Sequence, residues 1–88
     1  MILVGDIGNT LTKICLINSK NKIVKKIFLS TKNINAVTLN YSLKKINFKK
    51  NKIEKSLFCS VVPKSFKLIK TFLKKKHKLK SYELKDLA

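Results

Sequence analysis

Four residues near the start of the chain have the types and spacing of a phosphate-binding turn. Asp6, Gly8, Asn9 and Thr10 form the pattern D-x-G-x-T directly after the apolar run Ile2–Val4. A glycine in a turn lets backbone N–H groups approach phosphate oxygens closely, and a hydroxyl and an amide side chain supply further donors. The pattern therefore predicts a turn that holds a phosphate group.

Asp6 is the candidate metal ligand of this turn. It is the first of only four acidic residues, and the next is Glu54. Mg²⁺ prefers oxygen ligands, and with hydrogen-bond donors it stabilises the charge on a phosphoryl group in transfer. An ordinary hairpin turn at Gly8-Asn9, capped by Asp6, is the alternative interpretation. No Walker A or GxGxxG pattern offers a second phosphate site.

The charge of the chain invites a nucleic-acid interpretation that its composition weakens. The net charge is +17, but all 21 basic residues are lysine and none is arginine, the usual bidentate reader of guanine and phosphate. Abundant lysine, asparagine and isoleucine together indicate compositional drift toward AT-rich codons. We therefore expect no nucleic-acid partner, and a small basic nucleic-acid-binding or regulatory protein remains an alternative.

Length and apolar pattern limit the class of protein further. Eighty-eight residues allow one small domain. There is no apolar run of about 18 residues, and the N-terminus lacks the pattern of a signal peptide, so we expect no membrane span and a cytoplasmic location. Cys15 and Cys59 each lie in an apolar stretch, which predicts two buried free thiols.

Three strands are predicted in the first third of the chain. They cover Ile2–Ile7, Thr12–Ile17 and Ile23–Leu29, joined by turns at Gly8-Asn9, where both residues tolerate positive φ, and at Asn18–Asn21. Short turns between strands predict an antiparallel meander.

Two helices and two further strands are predicted after the meander. The first helix covers Asn33–Phe48, with Asn33 or Asn35 as its cap and an apolar face formed by Ile34, Val37, Tyr41 and Leu43–Ile46. A central strand buried on both faces is predicted at Ser56–Val62. The second helix starts at Pro63 with Phe66, Ile69, Phe72 and Leu73 on its apolar face, and a short strand at Leu79–Leu84 ends the pattern.

The predicted order is β-β-β-α-β-α-β, which indicates an α/β domain with a mixed sheet. This is the order of the ribonuclease-H-like half-domain of the actin, sugar-kinase and Hsp70 superfamily. The residues also resemble one family, the type III pantothenate kinases. The resemblance rests on Asp6–Thr10 as the phosphate-binding start, on Ser60–Pro63 as the Ser-Val-Val-Pro segment, and on Leu29–Thr31 at the end of the third strand.

The resemblance implies transfer of the ATP γ-phosphate to pantothenate, the first step of coenzyme A synthesis. It also implies an actin-like fold, a homodimer, Mg²⁺ and a monovalent cation (K⁺ or NH₄⁺). It assigns the ATP-phosphate role to Asp6, Gly8, Asn9 and Thr10, within a segment that also contains Ile7, Leu11, Thr12 and Lys13. Ser60–Pro63 is expected to be scaffold, with Val61-Val62 in the core.

One part of the family pattern is missing. The family's catalytic base lies in a Gly-x-Asp-Arg segment, whereas Asp86 is followed by Leu87 with neither glycine nor arginine nearby. We therefore expect residues 1–88 to be an incomplete or truncated N-terminal lobe of a two-lobed kinase, at most weakly nucleotide-binding and catalytically inert alone. Another actin-like ATPase or sugar-kinase lobe is the alternative within the superfamily.

Overall fold

The computed structural model describes residues 1–87, and the side chains of residues 1–85. The strands are β1 (Ile2–Ile7), β2 (Leu11–Ile17), β3 (Ile23–Ser30), β4 (Lys55–Ser60) and β5 (Ser81–Glu83), and the helices are α1 (Ala36–Leu43) and α2 (Pro63–His77). Short 3-10 helices lie at Thr31–Asn33 and Leu84–Leu87. The predicted order of elements is confirmed.

The five strands form one mixed sheet in the order β3-β2-β1-β4-β5. The meander β1-β2-β3 is antiparallel, and β4 and β5 are added in parallel to β1. The strand carrying Asp6 is therefore the central one. The strand predicted at Ser56–Val62 is an interior strand, β4, with neighbours on both sides, but it ends at Ser60.

The two faces of the sheet differ in what covers them. We call the face that carries Leu3, Ile7, Ile14 and Phe58 the helix-covered face, since these side chains join those of α1 and α2 in one core cluster. Neither helix of the described residues covers the other face, the open face, where Asp6 and its cross-strand neighbours lie. β4 is accordingly buried on one face only.

Helix α1 is shorter than predicted and turns a different face to the core. Asn35 caps it, as one of the two predicted options: its side chain accepts from the amide of Thr38, and Thr38 Oγ1 accepts from the Asn35 amide. The helix ends at Leu43, and the Asn47 side chain stabilises a turn further on by accepting bonds from the amides of Lys49 and Lys50. In α1 and the residues next to it, the buried apolar side chains are those of Ile34, Leu39, Leu43 and Ile46.

Three further predictions about exposure are wrong. Val37 and Tyr41, predicted to face the core, are 77% and 73% exposed. Val61 is also exposed, because it lies past the end of β4, while Val62 packs at the edge of the core. Cys59 is exposed on the open face, and only Cys15 is buried.

Helix α2 follows its prediction closely. It begins at Pro63, buries Phe66, Ile69 and Leu73, and half-buries Phe72. Its outer face is rich in lysine, and none of the helices among residues 1–87 is long and apolar enough to span a membrane.

Candidate phosphate-binding turn

The candidate site lies where β1 ends and turns back into β2. Because β1 and β4 are parallel, their carboxyl ends meet at the same edge of the sheet, where ligands bind in open α/β sheets. The link is direct, since the amide of Val61 donates to the carbonyl of Ile7 at 3.0 Å. This edge brings the D-x-G-x-T and Ser-Val-Val-Pro segments together.

The turn is closed by one hydrogen bond and leaves two amides free. The Gly8 amide donates to the Leu11 carbonyl at 3.0 Å. The amides of Asn9 and Thr10 have no hydrogen-bond acceptor within residues 1–87, and both residues are exposed. The available N–H groups are therefore those of the two residues after the glycine.

At Gly8 the backbone is not left-handed, and the space for a side chain is limited. Neither Gly8 nor Asn9 has a positive φ, so the predicted turn forms without the freedom that these residue types allow. A β-carbon at Gly8 would lie 3.1 Å from the Leu11 carbonyl oxygen, which is tighter than ordinary contact. A side chain there would push against the carbonyl that closes the turn.

Asp6 stands in a row of side chains that crosses four strands on the open face. Its neighbours in register are Lys13 on β2 and Cys59 on β4, and Phe28 on β3 pairs with Lys13. Asp6 takes part in neither of the two ion pairs found within residues 1–85. Its carboxylate is exposed and available to a ligand on the open face.

The groups around Asp6 fit a Mg²⁺ ion that is shared with a phosphate ligand. They do not form a metal site enclosed by protein ligands alone. Within the described residues, no group of three histidine, cysteine or acidic side chains could hold a metal ion. Mg²⁺ commonly takes one or two carboxylates and fills the remaining positions with water and substrate phosphates. A single exposed carboxylate beside free amides suits that arrangement.

The other residues of the predicted segment differ in their surroundings. Leu11 and Lys13 are exposed, whereas Ile7 and Thr12 are fully buried. The Thr12 hydroxyl lies 2.8 Å from the hydroxyl of Thr31 on the helix-covered side, so it is occupied away from the turn. Asp6, Asn9, Thr10 and Lys13 are thus the polar side chains of the segment that solvent reaches.

Ser60 uses its hydroxyl within its own loop. Ser60 Oγ accepts from the Val62 amide and donates to the Val62 carbonyl, both at 3.0 Å. These bonds shape the chain between β4 and α2, and they are consistent with the scaffolding role predicted for Ser60–Pro63. Cys59 was not predicted as a site neighbour; the strand pairing that places it beside Asp6 is not visible in the sequence.

A surface cavity of about 720 Å³ lies elsewhere, over the outer face of α2. Leu68, Phe72 and Ala36 line it together with lysines, and it contains no carboxylate, thiol or imidazole. It offers neither a general base nor a metal ligand.

Comparison with known proteins identifies the family of this chain. Residues 2–87 match the family model of type III pantothenate kinase. The chain is 60% identical over 87 residues to a type III pantothenate kinase from Pelagibacter ubique (strain HTCC1062), an alignment that covers 99% of the chain and 35% of the relative. The chain therefore spans about a third of that relative's length.

A solved structure supports the fold alone. A crystal structure from Porphyromonas gingivalis, of a protein described as an N-acetylglucosamine kinase, superposes with a TM-score of 0.65 at 23% identity. The superposition covers 94% of this chain and 33% of the solved chain. The predicted actin-like sugar-kinase fold class is confirmed, and the match to the family model with the close relative settles the family. The chain belongs to the type III pantothenate kinase family.

Proposed function

We propose that this chain is the nucleotide-phosphate-binding lobe of a two-lobed type III pantothenate kinase, which transfers the γ-phosphate of ATP to pantothenate in coenzyme A synthesis. The observation that carries the proposal is the pair of free amides at Asn9 and Thr10 beside the unpaired carboxylate of Asp6. Free amides bind phosphate oxygens, and a carboxylate binds the accompanying cation.

In this proposal each group at the turn has one task. The amides of Asn9 and Thr10 donate to phosphate oxygens and orient the nucleotide. Asp6 holds Mg²⁺, directly or through water, and the ion supplies neutralisation of charge on the phosphates. Gly8 keeps the turn tight enough for both. Lys13, next to Asp6 in register, adds positive potential.

In this proposal, neither Glu54 nor Glu83, the other acidic side chains that the structure describes, is the base that activates the hydroxyl of pantothenate. Glu54 precedes β4 at the opposite edge of the sheet, where it faces the N-terminal amine at 3.9 Å. Glu83 lies at the end of β5 and pairs with Lys85 at 3.7 Å. Neither carboxylate stands beside Asp6. A homodimer, K⁺ or NH₄⁺, and a cytoplasmic location complete the proposal and rest on family membership alone.

A chimera tests the proposal. Residues 1–87 replace the matching segment of the Pelagibacter ubique relative, and ATP-dependent phosphorylation of pantothenate is measured. We expect activity with the wild-type segment and a loss of about 100-fold or more in kcat/KM with Asp6→Asn. Glu54→Gln is the matched control, because it neutralises an exposed carboxylate far from the turn. A folded chimera without activity, or equal activity of the Asp6→Asn form, contradicts the proposal.

A further inference from the structure

Thr31, the residue directly after β3, makes two contacts with the C-terminal side of the phosphate-binding turn. The Thr31 amide donates to the Thr10 carbonyl at 3.0 Å. The Thr31 hydroxyl lies 2.8 Å from the Thr12 hydroxyl, and either oxygen can be the donor. Thr31 therefore contacts the chain on both sides of Leu11.

The hydroxyl pair is shut off from solvent. Thr12 is 0% exposed and Thr31 is 4% exposed. A buried hydroxyl that loses its partner keeps its full desolvation cost, because water cannot replace the bond. The pair therefore favours one backbone arrangement of the segment that follows the turn.

We propose that Thr31 is a positioning residue for the phosphate-binding turn, acting through its amide on Thr10 and its buried hydroxyl on Thr12. This role rests on the proposed function. By holding the Thr10 carbonyl and the start of β2, Thr31 fixes the direction in which the amides of Asn9 and Thr10 point. Thr31 itself touches no phosphate.

The chain contains a matched control for this proposal. Ser56 and Ser81 form a second buried hydroxyl pair at 2.6 Å, between β4 and β5. Thr31→Val and Ser81→Ala each remove one hydroxyl from a buried pair, so both are expected to lower stability. Only Thr31→Val loosens the turn.

The experiment is amide hydrogen exchange on the ¹⁵N-labelled chain, followed by titration with MgATP. We expect Thr31→Val to speed exchange of the Gly8 amide at least about tenfold and to weaken MgATP binding, with Thr31→Ser restoring both and Ser81→Ala changing neither. The double variant Thr12→Val/Thr31→Val fills the same space and leaves no unpaired buried hydroxyl. Faster exchange in this variant is therefore not caused by general destabilisation of the fold.

The outcomes separate the two proposals. Wild-type exchange at Gly8 in Thr31→Val or in the double variant overturns the positioning role, because the pair then only fills space. Faster exchange in both supports it. Full activity of the Asp6→Asn chimera counts against the proposed function, while the exchange result still decides what Thr31 does to the turn.

Discussion

The ring of Phe58 on β4 fills the space in front of Gly5 on β1. A β-carbon at Gly5 would lie 2.1 Å from Cε1 and 2.3 Å from Cδ1 of that ring, distances that real β-carbons do not tolerate. Phe58 is fully buried, so the ring has little room to move away. Because Gly5 has no side chain, the Phe58 ring packs directly against the backbone of the central strand β1.

We therefore expect Gly5→Ala to lower the free energy of unfolding by about 1–3 kcal/mol, through overpacking of the core. The measurement is urea unfolding of the chain. Phe58→Ala removes the atoms that clash, so the double variant Gly5→Ala/Phe58→Ala should be more stable than the sum of the two single effects allows. Additive losses would show that the Phe58 ring is not the obstacle.

The two cysteines should differ in reactivity. Cys59 is exposed beside Asp6, whereas Cys15 is 6% exposed. In the folded chain, Ellman's reagent should modify one thiol rapidly and the second only after denaturant is added, because reaction requires access. Cys59→Ser should abolish the rapid phase and Cys15→Ser the slow one; two equally rapid thiols would be incompatible with this packing.

His77 should make the chain less stable in mild acid. Its ring stacks on Phe48 with centroids 3.6 Å apart and planes 10° apart. Burial, and then the nearby charge of Lys76, lower the pKa of His77 from 6.5. The unfolded chain therefore takes up a proton that the folded chain resists, and the free energy of unfolding falls as the pH drops below 6.5.

The test compares urea unfolding at about pH 7.5 and about pH 5.5 in wild type and His77→Gln. Wild type should lose more stability than the variant over this range. The variant is the control because it removes the titrating group at the same position. An identical pH dependence in both proteins would show that His77 does not carry the effect.

Much of the fold follows from local patterns. The short turns predict the antiparallel meander, Pro63 marks the start of α2, and Asn35 supplies a cap. Elements whose length is set by competing turns were predicted less well. Ile46 and Phe48 continue the apolar spacing after Leu43, yet the chain turns there, and the Asn47 side chain accepts bonds from the two amides after Phe48.

It was harder to predict which side chains face the core than to predict where the helices and strands lie. Val37 and Tyr41 repeat at helical spacing, but the core selects Leu39 and Leu43 instead. Two stripes of similar periodicity compete on a short helix, and contacts with β3 and α2 decide between them. His77 likewise follows a run of lysines in the sequence, and its stack on Phe48 comes from a distant loop.

The candidate site could be predicted as a segment but not as an arrangement. The types of Asp6, Gly8, Asn9 and Thr10 indicate phosphate chemistry. Which amides are free depends on the bond from Gly8 to Leu11, and Cys59 and Thr31 reach the site by strand pairing over long sequence distances. Pairing between distant strands leaves no signal in a single sequence.

The most direct test of the central claim is an NMR titration of the ¹⁵N-labelled chain with ATP, with and without Mg²⁺. Because a chain of charge +17 attracts ATP to any lysine, the position of the shifts decides the question. We predict that MgATP shifts the amides of Asn9 and Thr10, and that Asp6→Asn reduces its affinity to that of metal-free ATP. Shifts confined to the lysine-rich face of α2, or unchanged MgATP binding by Asp6→Asn, would contradict the claim.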